Sequence, residues 1–142
     1  MSDGRRLKFD EIGYWSEIKL DIVKGYASAY SRILAAQTKP ALHHVYIDAF
    51  AGAGVHISKA TGEYIPGSPT NALSVQPTFR EYYLIDIDRQ KVTLLRELAK
   101  ERNDVHITGE TATASCWRKS FQIFSGSNTV AVCAYSIRTV CN

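Results

Sequence analysis

The sequence has few cysteines, little excess charge and no long apolar run. Its cysteines, Cys116, Cys133 and Cys141, form no CxxC pair and have no histidine at ligand spacing, which argues against a metal site. The longest apolar run is far shorter than the roughly 18 residues of a membrane-spanning helix, and residues 1–11 lack the apolar core of a secretory signal. We therefore expect free thiols, a cytoplasmic location and no membrane partner.

The balance of charge is also uninformative about a partner. Seventeen basic and 14 acidic residues leave a net charge of +3, too small and too scattered to argue for nucleic acid by itself. Nucleic acid stays open as a partner. A chain of 142 residues, 45% of them apolar, fits one domain with a core large enough to need no disulfide or metal.

The N-terminal region carries a helical pattern. Apolar side chains recur at the spacing of one helical face from Asp10 to Ala36, which predicts a long amphipathic helix. Pro40 and the polar residues before it end that helix, because proline has no backbone N–H to continue the helical hydrogen bonds. We expect the aromatic residues of the helix to pack inward rather than to stack on bases, and these are Tyr14, Trp15, Tyr26 and Tyr30.

Three short segments rich in β-branched and aromatic residues predict strands, at His43–Phe50, Glu81–Ile87 and Asp104–Thr108. Between the first two, Val55–Gly67 is either a small hairpin or an ordered loop. With the helices between them, the strands follow the rhythm of a Rossmann-like, doubly wound parallel sheet. The α/β fold would be incomplete, with the N-terminal helix and about three strands.

Local signals place the two helices between the strands. Ser68 is expected to be the N-cap of a short helix with Pro69 at its first position, and Pro77 limits its length. Asp88 is expected to cap a second helix with a charged outer face. Its apolar positions are Val92, Leu95, Leu98 and Ala99.

The segment YIDAFAGAG is the main candidate for a ligand-binding turn. Asp48 ends the first strand, and Gly52 and Gly54 let the turn pass close to a ligand, since a Cβ at either position would occupy that space. Open α/β sheets bind ligands at this edge. The turn matches neither GxGxxG nor GxxxxGK[ST]. A sharp turn with no ligand is the alternative interpretation.

A second acid, Asp86, ends the second strand. A carboxylate inside an apolar segment needs a reason, and one at this edge can accept hydrogen bonds from two ribose hydroxyls. Together the glycine turn and Asp86 predict a cofactor that carries adenosine. The lack of a phosphate-binding loop favours S-adenosylmethionine over NAD.

Four ordered blocks give the sequence a family resemblance. KFDEIGYWSEIKLDIVKGYASAYSRIL, HHVYIDAFAGAGVHIS, IPGSPTNAL and FREYYLIDID resemble the three-Cys-motif partner proteins (TcmP) over about residues 8–110. The resemblance implies a Rossmann-like, methyltransferase-like domain and an operon-encoded partner protein that carries the three-cysteine motif. The glycine block is also similar to the DxFxGxG of nucleic-acid methyltransferases. That similarity implies cofactor-loop positions at Asp48, Phe50, Gly52 and Gly54 and a ribose-binding Asp86. It does not identify a catalytic residue.

Residues 111–142 differ in amino-acid composition from residues 1–110. They contain no acidic residue and no proline but every cysteine, and the resemblance stops at Glu110. We hypothesise that this tail is read out of frame after a single lost base. An intact frame on sequencing across codons 105–115 would end that hypothesis.

Residues 1–110 would then form the N-terminal part of a methyltransferase-like domain with half a site for S-adenosylmethionine, inactive as it stands. Two other classes of function stay open. One is a non-catalytic partner or regulatory module of a radical-type enzyme from the same operon. The other is an accessory protein in nucleic-acid processing.

Overall fold

The computed structural model describes residues 9–109 and the strand at residues 129–134. In that part of the chain it has the helices α1 (Tyr14–Ala36), α2 (Ser68–Leu73) and α3 (Arg89–Leu98). The strands are β1 (Glu11–Ile12), β2 (His43–Asp48), β3 (Val55–Ser58), β4 (Tyr64–Pro66), β5 (Glu81–Ile85), β6 (Val105–Thr108) and β7 (Thr129–Ala134). No helix among the described residues is both long enough and apolar enough to cross a membrane.

Four parallel strands form the main sheet, in the order β6-β5-β2-β7. Strand β2 lies between β5 and β7, with Asp48 opposite Leu84 on one side and Ala134 on the other. The predicted mixed α/β class is confirmed, and the three predicted strands are β2, β5 and β6. The sheet has one strand more than expected, because the described part of the tail forms β7. The rest of the 111–142 prediction lies outside the described residues.

A second, smaller sheet covers the segment after the glycine turn. Strands β3 and β4 form an antiparallel hairpin, so the hairpin alternative for Val55–Gly67 is the observed one. Strand β1 pairs in parallel with the other edge of β3. The N-terminal helix therefore begins at Tyr14 rather than at Asp10, because Glu11–Ile12 is already held in this sheet.

The described helices share one face of the main sheet. Tyr46, Tyr82 and Leu84 lie on that face, since Tyr46 and Tyr82 are opposite each other and strand side chains alternate. One buried cluster joins them to all three helices through Ala27, Ala72 and Leu95. The helices α2 and α3, which lie between β2, β5 and β6 in the chain, are thus packed on the same side of the sheet as α1.

The prediction that the aromatic residues of α1 pack inward is wrong. The helix buries a second, narrower face made of Ala27, Ser31 and Leu34. Small residues there let α1 lie directly against α2. The aromatic face points to solvent, and its exposed residues are Tyr14, Trp15, Tyr26 and Tyr30.

Candidate functional site

The glycine loop, residues 49–54, follows β2 at the carboxyl edge of the main sheet. Ala51 N donates to Ile85 O at 2.9 Å, which ties the loop to the end of β5. Gly52 and Gly54 have φ of +72° and +83°, a backbone conformation that favours glycine. Phe50 lies at the outside of the loop, 47% exposed. The sequence-predicted cofactor loop is therefore a tight turn that leaves the end of β2 and is held against the end of β5.

Asp86 points into this turn. Its Oδ2 accepts a hydrogen bond from Gly52 N at 2.9 Å, and its Oδ1 accepts one from Asp88 N at 2.8 Å. Asp86 N donates to Thr108 O at 3.1 Å, so the residue is also fixed to the end of β6. The side chain is buried, but each carboxylate oxygen can accept a further hydrogen bond. Asp86 therefore shapes the glycine loop and keeps acceptor capacity for a ligand.

Asp48 lies beneath the loop and is fully buried. Its Oδ1 accepts from Phe50 N at 3.2 Å, and the Ser68 hydroxyl donates to Oδ2. Burial raises the pKa of Asp48 to about 6, against the lowering effect of the hydrogen bonds from Ser68 and Phe50, and the charge of Asp86 adds to the rise. Asp48 is thus a buried support of the loop, sensitive to protonation near neutral pH.

The prediction that Ser68 caps α2 is wrong. Gly67 is the N-cap, and Ser68 is the first residue of the helix. The Ser68 hydroxyl donates to Asp48 instead, because a fully buried carboxylate needs a hydrogen-bond donor. Asp88, by contrast, caps α3 as predicted, with Oδ1 accepting from Gln90 N at 2.9 Å. A short-range pattern could not reveal the long-range partner of Ser68.

Gly54 and Gly52 differ in what surrounds them. A Cβ at Gly54 would lie 3.0 Å from Leu98 Cδ2 and 3.3 Å from Thr70 Oγ1, so its missing side chain makes room for protein atoms. Gly67 N and Thr70 Oγ1 both donate to Gly54 O, at 2.8 and 2.6 Å. A Cβ at Gly52 would have a single neighbour within 4 Å, an atom of the His56 ring at 4.0 Å. Close approach of a ligand is therefore possible at Gly52, whereas Gly54 is required by packing.

A cavity adjoins this edge of the sheet, between α3 and the end of β6. Its volume is about 520 Å³, within the range of roughly 300–1,000 Å³ typical of ligand sites. Thr108, which accepts from Asp86 N, lies in its wall beside the apolar Val92 and Ile107, and Arg89 lies at the start of α3. Among the described residues, no three His, Cys, Asp or Glu side chains are grouped to hold a metal ion.

The sequence did not predict that the segment before α1 packs beside the candidate site. Strand β1 is paired with β3, and Asp10 Oδ2 accepts from Lys91 Nζ at 2.6 Å. Lys91 is a buried cation in the first turns of α3, so this ion pair joins the N-terminal segment to the helix that follows Asp86. The available signal was a lysine at a buried helix position, which needs a carboxylate partner.

The raised pKa of Asp48 gives a testable pH dependence. The folded-state pKa of about 6 exceeds the ordinary 3.8, so folding binds a proton between these values. The free energy of unfolding therefore falls as pH rises through this window, by up to about 3 kcal/mol. Asparagine carries no charge, so we expect Asp48→Asn to raise the midpoint of thermal unfolding at pH 7 and to lose most of that gain at pH 4.

The matched control is Asp21→Asn, which removes an exposed carboxylate from α1. Its midpoint should follow that of the wild type at both pH values. An Asp48→Asn advantage of equal size at pH 4 and pH 7 would contradict the assignment of the buried charge.

A scan against protein-family models finds no match to this chain, and a search of curated proteins finds no match either. The interpretation of the glycine loop therefore depends on the geometry described above and on the four sequence blocks that resemble TcmP. That resemblance, and the cofactor it implies, stay predictions.

Proposed function

We propose that residues 1–110 are the N-terminal part of a Rossmann-like, methyltransferase-like domain of the TcmP type, with half a site for S-adenosylmethionine. The observation that carries the proposal is the convergence of the glycine loop and the Asp86 carboxylate at one point of the carboxyl edge, where Gly52 N donates to Asp86 Oδ2 at 2.9 Å. The cytoplasmic location and the operon partner belong to the same proposal.

The order of the strands supports this position for a ligand. The chain passes from β2 to β5 and then to β6 in one direction, and β7 lies on the opposite side of β2. If the reading frame is intact, so that β7 belongs to the native sheet, strand order reverses at β2, and ligands of open α/β sheets bind outside the carboxyl ends of strands at such a reversal. The glycine loop leaves β2 at that end. The order third, second, first, fourth strand is also that of the first four strands of a doubly wound dinucleotide-binding sheet.

Each residue has a distinct part in the proposed site. Asp86 accepts hydrogen bonds from the two ribose hydroxyls with the acceptor capacity that the loop amides leave free. The open space at Gly52 lets the backbone approach the ligand. Asp48 and Ser68 hold the loop from beneath. When bound, S-adenosylmethionine supplies an activated methyl group, and these residues bind and orient it.

Gly52→Ala tests the proposal, and Gly62→Ala is its matched control. Both glycines have φ of +72°, and neither would meet an atom closer than 4.0 Å, so both substitutions strain the backbone to a similar degree of about 1–2 kcal/mol. Only the Cβ at Gly52 enters the proposed site. We expect Gly52→Ala to weaken binding of S-adenosylmethionine at least tenfold and Gly62→Ala to leave it unchanged, measured by titration calorimetry.

Three outcomes of the titration are informative. Heat from the wild type that is lost in Gly52→Ala supports the proposed site. No heat from the wild type overturns it and favours a non-catalytic partner module. Equal binding by both variants also overturns the assignment to the glycine loop. A parallel titration with NAD is expected to give no heat.

A further inference from the structure

The outer face of α1 carries six of the ten large apolar and aromatic side chains that are exposed among the described residues. Five large side chains on it are 47–74% exposed, and we call them the α1 stripe: Trp15, Ile22, Tyr26, Tyr30 and Ile33. At 100° per residue, four of the five fall within an arc of about 40°. The stripe therefore runs along almost the whole helix on one side, about 120° around the helix axis from the buried face of Ala27, Ser31 and Leu34.

The area of the stripe is at the upper end of what a monomer usually leaves in water. Large apolar and aromatic side chains of this exposure leave roughly 700 Å² between them. The largest apolar patch on a typical monomer is about 300–600 Å². A standard interface takes about 800 Å² from each partner. One α1 stripe with its margins is therefore of the size that a stable dimer needs from each copy.

Four of the five stripe residues occupy positions that are symmetric about Lys24 along the helix. Trp15 and Ile33 lie equally far from Lys24 along the chain, and so do Ile22 and Tyr26. In an antiparallel pair of identical helices centred on Lys24, Trp15 of one copy therefore lies level with Ile33 of the other. In the same way, Ile22 of one copy lies level with Tyr26 of the other. A two-fold axis requires such self-complementarity, because the same surface must serve both copies.

A shallow groove along one edge of the stripe, midway along the helix, gives a place for the opposing side chains. It is about 380 Å³ in volume and is lined by Ile22, Gly25, Tyr26 and Ala29. The small Gly25 and Ala29 lie between larger neighbours, so a side chain from a facing helix can enter there. In the antiparallel arrangement the residues level with the groove include Ile22 and Tyr26 of the second copy.

We propose that two copies of this chain pair in antiparallel fashion through their α1 stripes. The stripe contains no residue of the glycine loop, so the proposal does not depend on the proposed function. It predicts a two-fold dimer in which Ile22 of one copy contacts Tyr26 of the other.

Charge substitutions test both the surface and its direction. We expect the 142-residue chain to have the mass of a dimer in light scattering after size exclusion. Ile22→Glu alone and Tyr26→Lys alone should each raise the dissociation constant about 100-fold, because each places two unpaired charges in the interface. The double variant should recover most of the affinity, since every Glu then faces a Lys. A parallel pairing would set like charges together and give no recovery.

Lys24→Glu is the matched control, since this exposed residue lies on the opposite side of α1. It should leave the dimer intact. A wild-type chain that is monomeric at tens of micromolar overturns the proposal. Dimers that survive both single substitutions also overturn it, and circular dichroism checks that each variant is folded.

Discussion

Asp86→Ala is expected to abolish binding of S-adenosylmethionine and to destabilise the fold by about 2–4 kcal/mol. The substitution removes the acceptor of Gly52 N and of Asp88 N together, so two amides at the carboxyl edge lose their partners. The loss of affinity should exceed 100-fold, because the ribose hydroxyls lose their acceptor while the loop loses its anchor. Calorimetric titration well below the unfolding midpoint measures the affinity, and urea unfolding measures the stability.

Asp88→Ala is the control for this effect. It removes a neighbouring carboxylate that caps α3 through Gln90 N, and the loss of an N-cap costs about 1 kcal/mol. Binding of S-adenosylmethionine should be unchanged. If Asp86→Ala lost stability but kept its affinity, the carboxylate would be a structural anchor of the turn only, and the proposed ribose contact would be wrong.

Gly54→Ala is expected to reduce the free energy of unfolding by about 2–3 kcal/mol, from the strain of a positive φ together with overpacking. The new methyl group would lie 3.0 Å from Leu98 Cδ2. Thr70 Oγ1, at 3.3 Å, can retreat only by weakening its hydrogen bond to Gly54 O. Urea unfolding gives the measurement, with Gly62→Ala as the control because Gly62 has a positive φ but no neighbour within 4 Å.

The difference between the two glycine variants isolates the effect of crowding. Leu98→Ala in the Gly54→Ala background should recover part of the stability, since it removes the closest of the crowded atoms. Equal destabilisation by Gly54→Ala and Gly62→Ala would mean that backbone strain alone matters at the turn, and the packing account of Gly54 would be wrong.

The sequence predicted those features that depend on short-range patterns. Strands β2, β5 and β6 are runs of β-branched and aromatic residues, and their observed ends lie within two residues of the predicted ones. The Asp88 cap depends on a contact only two residues along the chain. The meeting of Asp86 with the glycine loop was predictable too, because neighbouring parallel strands bring their carboxyl ends to one edge.

The missed features depend on contacts between distant parts of the chain. Strand β1 has only two residues, and its partner β3 lies far along the sequence. Helical periodicity shows that α1 has an apolar face, but it does not tell which face meets the core when a second face of Ala27, Ser31 and Leu34 is available. The hydroxyl of Ser68 likewise went to Asp48 through a contact that no local pattern encodes.

The pairing of β1 with β3 bears on how the protein is handled. Strand β3 is the middle strand of its sheet, with β4 on one edge and β1 on the other. Shortening the gene to begin at the first helix would leave one edge of β3 open, and open edges recruit strands from other molecules and promote aggregation. It would also leave the ammonium group of Lys91 without its carboxylate partner on Asp10. Purification tags therefore belong ahead of these residues, joined through a spacer that leaves the edge strand in place.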